Sequence, residues 1–356
     1  MEQQIQNETE INEIQHKCPG CGSNMKFDIE TGNLMCMHCK TSKEFNNTEA
    51  VERRMMCADI MKTHKTWTDG TVFRCSNCGA KEVISKKDIS KKCAFCGSGA
   101  VVSSKDLPGI QPDSVIPFRI TSQTANDNFR KWKKKRWFAP NSFKKQDTVA
   151  DLNAFYTPCW SFSSNTQSMY AGQLGRTHTV HTRNGTRTTV RWFRVNGVMN
   201  QPYMDHFIQS GDRVSNATFN RLKPFNLQQV QVYRTEFLAG IVAEHYSRNL
   251  ETCFGQFSQF VKSDLRRRVM RRYNADHCSF LDVQTVYNDK RFNYILLPLY
   301  INNYKYKKKN YNFFVNGQSG KIIGQYPKSK AKIGALITGI IGIIAAAAII
   351  IVLGGF

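Results

Sequence analysis

The sequence lacks the short motifs by which most catalytic sites are recognised. It contains no phosphate-binding G-x-x-x-x-G-K-[ST] loop, which excludes a nucleotide-driven translocating motor. It also contains no H-E-x-x-H, no G-x-S-x-G and no carboxylate pair in a recognisable context. We interpret two acid–histidine neighbours, Asp205-His206 and Glu244-His245, as surface pairs. We therefore predict that the chain is not an enzyme.

Acidic residues are scarce in this chain. Its 356 residues include 27 Asp and Glu against 50 Lys and Arg, which gives a formal net charge of +23. A protein this basic attracts polyanions, and the two candidate partners of this kind are an anionic lipid surface and nucleic acid. Residues 1–17 are polar and lack the apolar segment of a signal peptide, so we predict a disordered N-terminal tail there.

Long apolar runs are absent except at residues 333–353, which carry no charge. At a rise of about 1.5 Å per residue, a helix of this length measures about 32 Å and could cross a bilayer. Lysines crowd its near side, so the positive-inside rule places residues 1–332 in the cytoplasm. We expect a single-pass, tail-anchored protein of the cell membrane. The lysines are Lys321, Lys328, Lys330 and Lys332.

The chain has 12 cysteines, and eight of them form two sets with the same spacing, C-x2-C, x14, C-x2-C. The second set follows the first at a constant offset of 57 residues. This spacing is typical of zinc ribbons, in which two knuckles present four thiolates to one ion. A closed site of this kind cannot activate water, so we expect two structural zinc ions. The predicted ligands are Cys18, Cys21, Cys36, Cys39, Cys75, Cys78, Cys93 and Cys96.

These features divide the chain into six segments. We predict a disordered tail (1–17), a first zinc ribbon (18–45), a helical linker (46–70), a second zinc ribbon (71–104), a basic α+β domain (105–332) and a transmembrane tail anchor (333–353). The helical linker is predicted from a helical pattern at residues 48–64. A second linker, rich in Ser, Gly and Pro, is expected at residues 103–117 between the ribbons and the main domain.

The main domain alternates helical and strand patterns without a regular βαβ repeat, which indicates the α+β class. We predict helices from about residue 121 to before Pro140, over 224–246 and over 250–273. Residues 178–183 and 186–194 should form a hairpin around Asn184-Gly185, and Asn196-Gly197 should lead into another strand. Further strands are expected at 295–301, 304–315 and 321–325, with Asn316-Gly317 joining the last two.

Three segments concentrate positive charge: 130–136, 262–272 and 305–309. In the first, cations interleave with Phe129, Trp132 and Trp137. Such interleaving fits a nucleic-acid or membrane contact, but near-helical spacing favours these rings as a core face with the lysines on the solvated side. In the apolar run, small residues recur at spacings of three and four and could support a homo-oligomer. They are Ala335, Gly339, Gly342 and Ala346.

Several runs of the main domain carry a resemblance. They include Arg136-Trp-Phe-Ala-Pro140, Phe155-Tyr-Thr-Pro-Cys-Trp-Ser-Phe162, Leu222-Lys-Pro-Phe-Asn226, Tyr233, Leu238-Ala-Gly240, Ala243-Glu-His-Tyr246, Leu296-Leu-Pro298, Tyr304 and Val315-Asn-Gly317 with Gly320-Lys321. Over most of residues 18–332 the chain resembles a bacterial family of membrane-anchored proteins with TFIIB-type zinc ribbons, often labelled primosomal or helicase-like. Cys159 departs from the family pattern, which usually has an aromatic residue there, and we interpret it as a packing substitution.

The resemblance implies a location and neighbours more than a reaction, since such proteins are often encoded near flotillin-like and phage-shock proteins of the cell envelope. Our leading hypothesis is an adaptor that recruits a protein partner to the membrane. The alternative is a membrane-associated nucleic-acid-binding protein linked to replication or transcription, which the charge and the ribbons favour.

Overall fold

Long β-strands dominate the second half of the chain. The computed structural model describes residues 17–45, 47, 49–56, 70–75, 81–85, 93, 101–104, 110–145, 152–182, 185–307 and 309–353. The strands are Met25–Phe27 (β1), Leu34–Cys36 (β2), Ser42–Lys43 (β3), Arg54–Met55 (β4), Gly70–Cys75 (β5), Lys81–Ser85 (β6), Val101–Ser104 (β7), Ser114–Val115 (β8), Asn153–Thr182 (β9), Gly185–Gln209 (β10), Gln231–Val232 (β11), Val242–Glu244 (β12), His277–Tyr306 (β13), Lys309–Asn316 (β14) and Ile322–Gly324 (β15). The α-helices are Ser122–Lys134 (α1), Asn141–Lys145 (α2), Asn216–Leu222 (α3), Leu250–Arg272 (α4) and Lys330–Leu353 (α5). This composition confirms the α+β class.

The strands form two sheets. β1, β2 and β3 make a small antiparallel sheet, and the described strands β4 to β15 make one sheet of twelve. In its centre β9 lies between β10 and β13 and is antiparallel to both. Residues 155–163 of β9 are buried on both faces, which explains the near-continuous apolar run around Trp160. The ring of Trp160 lies 4.8 Å from that of Tyr294 on β13, in the main core.

Beyond Ser164 the same strands become half-buried. Even-numbered residues of β9 up to Leu174 are buried, while alternate residues such as Met169 are exposed. The buried face packs against α4, whose Phe257 contacts both Phe162 and Tyr203 at ring distances of 5.5 and 6.2 Å. Within the described part of the chain, one face of this three-stranded region is therefore covered by a helix and the other is open.

Several local predictions are confirmed. α1 begins after Thr121, whose hydroxyl accepts the backbone N–H of Thr124, and α4 begins after Asn249, which caps it in the same way. β9 and β10 form the predicted hairpin, but in a different register. A loop at Asn184-Gly185 would pair residue 183 with residue 186, whereas Thr182 pairs with Gly185, a shift of one residue. β14 and β15 meet at the predicted turn after residue 316.

Two predictions in the main domain are wrong. Asn196-Gly197 is not a turn, since β10 runs through it and Gly197 pairs with Tyr170 of β9. Residues 224–246 form no α-helix: they contain two short 3-10 turns, Leu227–Gln229 and Thr235–Leu238, and the strands β11 and β12. Pairing of β12 with β9 and β6 outweighs the local helical pattern.

The segments predicted as linkers also differ from expectation. In the helical pattern at 48–64, residues 49–56 contain no helix. Instead, β4 pairs with β13, and Arg54 forms an ion pair with Asp113, whose side chain is 5% exposed. Residues 57–64 of that pattern, with Cys57 and His64, lie outside the described residues. In the stretch at 103–117, β8 is fully buried between β11 and β13. β6 pairs with β12, so strands of the predicted second ribbon continue the main sheet.

Helix α5 contains the predicted apolar run. Its window Lys330–Ala348 is long and apolar enough to cross a membrane, and none of that window is buried against the rest of the described chain. Large side chains such as Ile343 are exposed along it.

Candidate metal centre

Four cysteine sulfurs of the first predicted set converge on one point. The Sγ atoms of Cys18, Cys21, Cys36 and Cys39 all lie within 4.8 Å of one another. Those of Cys18 and Cys39 are 3.3 Å apart, and those of Cys21 and Cys36 are 3.5 Å apart. Cys18 and Cys36 are buried, while Cys21 and Cys39 are exposed. The arrangement brings together four ligands that are separated by up to 21 residues in sequence.

Two turns of similar geometry present these sulfurs. The N–H of Gly22 donates to the carbonyl of Cys18, and the N–H of Lys40 donates to the carbonyl of Cys36. Gly22 and Lys40 both have a left-handed backbone, with φ of 70° and 63°. Glycine adopts this conformation without cost, whereas lysine does so at a cost, so only the first turn had an obvious sequence signal.

Hydrogen bonds at the exposed cysteines favour thiolates. Contacts from the side chain and backbone of Ser23 lower the pKa of Cys21 to about 5. The hydroxyl and backbone of Thr41 lower the pKa of Cys39, whose Sγ lies 3.1 Å from the Thr41 Oγ1. Because the thiolate is the form that binds metals, these contacts favour the ligand form of Cys21 and Cys39. Burial and the neighbouring sulfurs of Cys21 and Cys39 instead raise the pKa of Cys36 to about 11.

The donor set fits a metal ion. Four sulfurs at about 2.3 Å from a tetrahedral centre lie about 3.8 Å apart, which falls within the range of the separations seen here. Four thiolates would fill all the positions of such an ion and leave none for water or substrate. The site can therefore hold a metal and cannot by itself activate a ligand on it.

The second predicted set is described only in part. Cys75 ends β5 and Cys93 follows outside any element, and both are buried. Cys78 and Cys96 lie outside the described residues. A second metal site therefore stays a prediction.

Aromatic packing fixes the four-cysteine module on the main domain. Phe27 of β1 and Phe45 both contact Phe237, with ring centroids 5.2 and 4.9 Å apart. The N–H of Phe27 donates to the carbonyl of Ala239 at 3.0 Å. Phe27 and Phe237 are buried, and they belong to the same core cluster as Trp160. The metal module is thus packed against the rest of the domain. No local pattern predicts this packing, because Phe27 and Phe237 lie more than two hundred residues apart in sequence.

The two acid–histidine pairs are structural. Our surface interpretation is wrong for Glu244 and His245, since both are buried. Asp205 accepts hydrogen bonds from Nε and Nη2 of Arg53 at 2.8 and 2.6 Å, and the ring of His206 stacks on Phe260 at 3.8 Å. Burial lowers the pKa of His206 to about 4, so its ring is neutral at physiological pH. Arg53 is therefore the structural partner of Asp205, and His206 packs as a neutral ring.

Glu244 should make stability depend on pH. Its Oε1 accepts the backbone N–H groups of Asp212 and Arg213 at 2.7 and 2.9 Å, and burial raises its pKa from an ordinary 4.5 to about 7. The neutral acid is thus favoured in the folded state. Its stabilising contribution is complete below pH 4.5 and is lost as pH rises through about 7.

We expect Glu244→Gln to remove most of this decline while keeping an acceptor for both N–H groups. Glu244→Ala should instead lower the free energy of unfolding by about 2–3 kcal/mol, because two part-buried backbone donors lose their acceptor. Guanidinium unfolding of the chain in detergent, followed by tryptophan fluorescence at several pH values, measures both effects. The exposed Glu52→Gln is the matched control. A Glu244→Gln variant with the pH dependence of the native chain would contradict this assignment.

The structure separates the three basic segments into two groups. Phe143 of α2 packs against Tyr304 and Tyr306 with rings 5.4 and 5.8 Å apart, which brings the segments 130–136 and 305–309 to one end of the domain. The segment 262–272 lies on α4 beside residues 277–287 of β13, where Arg266 donates to the carbonyl of Leu281. At about 3.3 Å per residue, up to about 60 Å of β13 separates the two groups.

The aromatic residues of the first segment do not share one environment. Phe129 is buried and stacks on Phe313 at 3.7 Å, and Trp132 is partly buried against the core, as predicted. Trp137 is 70% exposed, so its assignment to the core face is wrong. Lys133 is buried, with its Nζ 5.6 Å from the centre of the Phe143 ring, and so does not belong to a solvated side.

Comparisons with known proteins give one relative of similar length. No protein-family model matches the chain, and no solved structure matches it. A curated protein of Bacillus subtilis (strain 168), described as "Uncharacterized protein YdjG", is 30% identical over 347 residues. The similarity covers 92% of this chain and 94% of the relative, so it is a likeness of nearly whole chains.

Proposed function

This chain belongs to the same family as YdjG of Bacillus subtilis, and we propose that it is a tail-anchored adaptor that recruits a protein partner to the cell membrane. The observation that carries the proposal is the closed four-thiol cluster, which could hold an ion without offering it to a substrate. Within the described residues it is the one cluster of metal-ligating side chains. The buried acids are already engaged by structural partners.

The proposed metal is zinc, bound once in each cysteine set. Four thiolates in tetrahedral geometry favour Zn²⁺ over hard cations such as Mg²⁺ and Ca²⁺, which prefer oxygen ligands. The identical spacing of the two sets supports a second ion at Cys75, Cys78, Cys93 and Cys96. Both ions would stabilise small modules that have little core of their own.

The proposed location is the inner face of the cell membrane. α5 supports it because its apolar side chains are exposed on all sides, a costly arrangement in water. The lysines before the run, and the lack of charge within it, support an orientation with residues 1–332 in the cytoplasm. An envelope-associated role then follows from the family resemblance of the main domain.

A protein partner is supported by the open face of the sheet. Met169, Val198 and Val286 are exposed by 60%, 51% and 57%, and Val198 pairs directly with Met169. The neighbouring outward residues are mostly amides, including Asn165, Gln167 and Asn200. In a chain of net charge +23 this patch is poor in charge, which is typical of the centre of a protein interface.

Crosslinking in membranes tests the proposal. We expect the full chain to capture a specific protein, with equal yield before and after nuclease treatment. Val198→Glu should reduce capture by about tenfold, because it places a charge in the centre of the proposed interface. Val180→Glu is the matched control, because Val180 lies near the hairpin tip of β9 and points to the face opposite Met169. Equal capture by both variants would contradict the proposed interface.

A second candidate, nucleic-acid binding, is favoured by the basic end remote from α5. Residues 154–204 contain no Asp or Glu, and Arg191 pairs directly with Arg176 across the hairpin. Like charges opposite each other repel, and a polyanion would relieve that repulsion. In the same crosslinking experiment, capture that disappears with nuclease treatment would favour this second function over the first.

A further inference from the structure

We propose that the loop formed by residues 136–141 lies in the headgroup layer of an anionic bilayer, with Trp137 as its interfacial anchor. The loop would then fix which side of the basic domain faces the membrane. This inference rests on the proposed insertion of α5, and it adds a second contact with lipid that the apolar run alone does not imply.

Hydrogen bonds hold the loop against the start of α5. The N–H of Ser329 donates to the carbonyl of Phe138 at 2.8 Å. The Nζ of Lys332 donates to the carbonyls of Trp137 and Ala139 at 3.2 and 3.0 Å, and to Oδ1 of Asn141 at 2.8 Å. The loop is therefore attached to the helix at one defined level.

That level corresponds to the edge of the hydrocarbon core. Lys332 is the last charged residue before the apolar run, and one residue advances a helix by about 1.5 Å. If the run spans the bilayer, the ammonium group of Lys332 lies among the headgroups, where lysine side chains next to spans usually lie. The carbonyls it binds then lie at the same depth.

Trp137 has the exposure expected of an interfacial side chain. It is 70% exposed, although tryptophan is one of the residues that folded proteins most often cover. Its ring stacks on Phe138 at 5.9 Å, so two aromatic side chains sit together at this position. Tryptophan is enriched at membrane interfaces because its ring is apolar and its N–H can reach water or headgroups.

The charges around the loop suit an anionic surface. Lys134, Lys135 and Lys145 are exposed on the elements that flank it, and Lys328 and Lys330 precede the span. No acidic residue occurs from residue 128 to 146. Cations near an anionic leaflet are attracted to it, so the group would add to the aromatic contact. The basic segment on α4, up to about 60 Å further along β13, would not share this contact.

Depth-dependent fluorescence quenching tests the proposal on the full chain. The protein is reconstituted into phosphatidylcholine and phosphatidylserine vesicles that carry a nitroxide lipid labelled near the headgroup or near the bilayer centre. We expect the headgroup label to quench the native chain more, and Trp137→Phe to remove about half of that quenching, because Trp137 is the exposed tryptophan beside the span. Phenylalanine keeps an aromatic contact, so the variant should stay in the membrane.

Trp192→Phe is the matched control, since Trp192 is 45% exposed but lies on β10 near the hairpin tip. Carbonate extraction of the same samples tests the membrane anchor separately from the loop contact. If all chains resist carbonate and the fluorescence of Trp137→Phe is quenched as much as that of the native chain, the loop contact is overturned and the membrane insertion of α5 is retained. If carbonate extracts the native chain, both the anchor and the loop contact are overturned.

Discussion

Deletion of residues 333–356 will move the chain from the carbonate-resistant membrane fraction to the soluble fraction. The apolar side chains of α5 are exposed, as Ile341 and Ile343 show at 60% and 72%, and only a bilayer would cover them all. The deletion should leave the domain folded, because none of the apolar window is buried against it. It also keeps Lys332 and its contacts with the loop at residues 136–141.

The remaining basic residues cannot replace the span. Each cation near an anionic leaflet contributes about 1 kcal/mol, and salt screens that attraction. We therefore expect the truncated chain to bind anionic membranes weakly and to be released by salt, with near-complete loss of carbonate resistance. An apolar run of leucines in place of residues 333–353 should restore it. Carbonate resistance of the truncated chain would show that a further membrane segment exists.

Cys36→Ser will remove one bound zinc ion per chain and unfold the module formed by residues 17–45. Cys36 is fully buried, and its sulfur lies 3.5 Å from that of Cys21. Zinc binding supplies about 10–16 kcal/mol to small four-ligand modules, far more than the few apolar side chains around Phe27 and Leu34 could replace. Three remaining thiolates would leave an open position and weaken the site.

Metal analysis of the purified chain, with a free-zinc chelator present, measures this effect. The native chain should hold two ions, and Cys36→Ser and Cys75→Ser should each hold one, because each cysteine set supplies all four ligands of its own ion. Cys278→Ser, outside both sets, should keep two. Loss of both ions from either single substitution would contradict independent sites, and a native chain with one ion would contradict the second set.

The features that were predictable from sequence depend on short-range chemistry. The first cysteine set, the start of α1 after Thr121 and the length of α4 follow from spacing, capping and periodicity. The Asn196-Gly197 prediction was wrong because the glycine serves a contact between strands. A Cβ at Gly197 would lie 2.7 Å from the Tyr170 hydroxyl oxygen, so the small residue makes room for that ring.

The features that were not predictable depend on partners far away in sequence. Glu244 reads as a surface acid, yet it accepts N–H groups that the chain brings from residues 212 and 213. Trp137 has the spacing of a core residue, but the chain leaves α1 before it and turns toward Lys332, 195 residues later. Neither environment could be inferred from local pattern, because tertiary contacts decide which face of a segment is covered.

We propose that closed four-thiolate zinc sites, without catalytic chemistry, stabilise a membrane-held adaptor. X-ray absorption at the zinc edge, on chain purified from membranes in detergent, tests it most directly. We predict a first coordination shell of four sulfurs at about 2.3 Å and no oxygen or nitrogen ligand. A shell that includes a water oxygen, or a chain that contains no zinc, would contradict the claim.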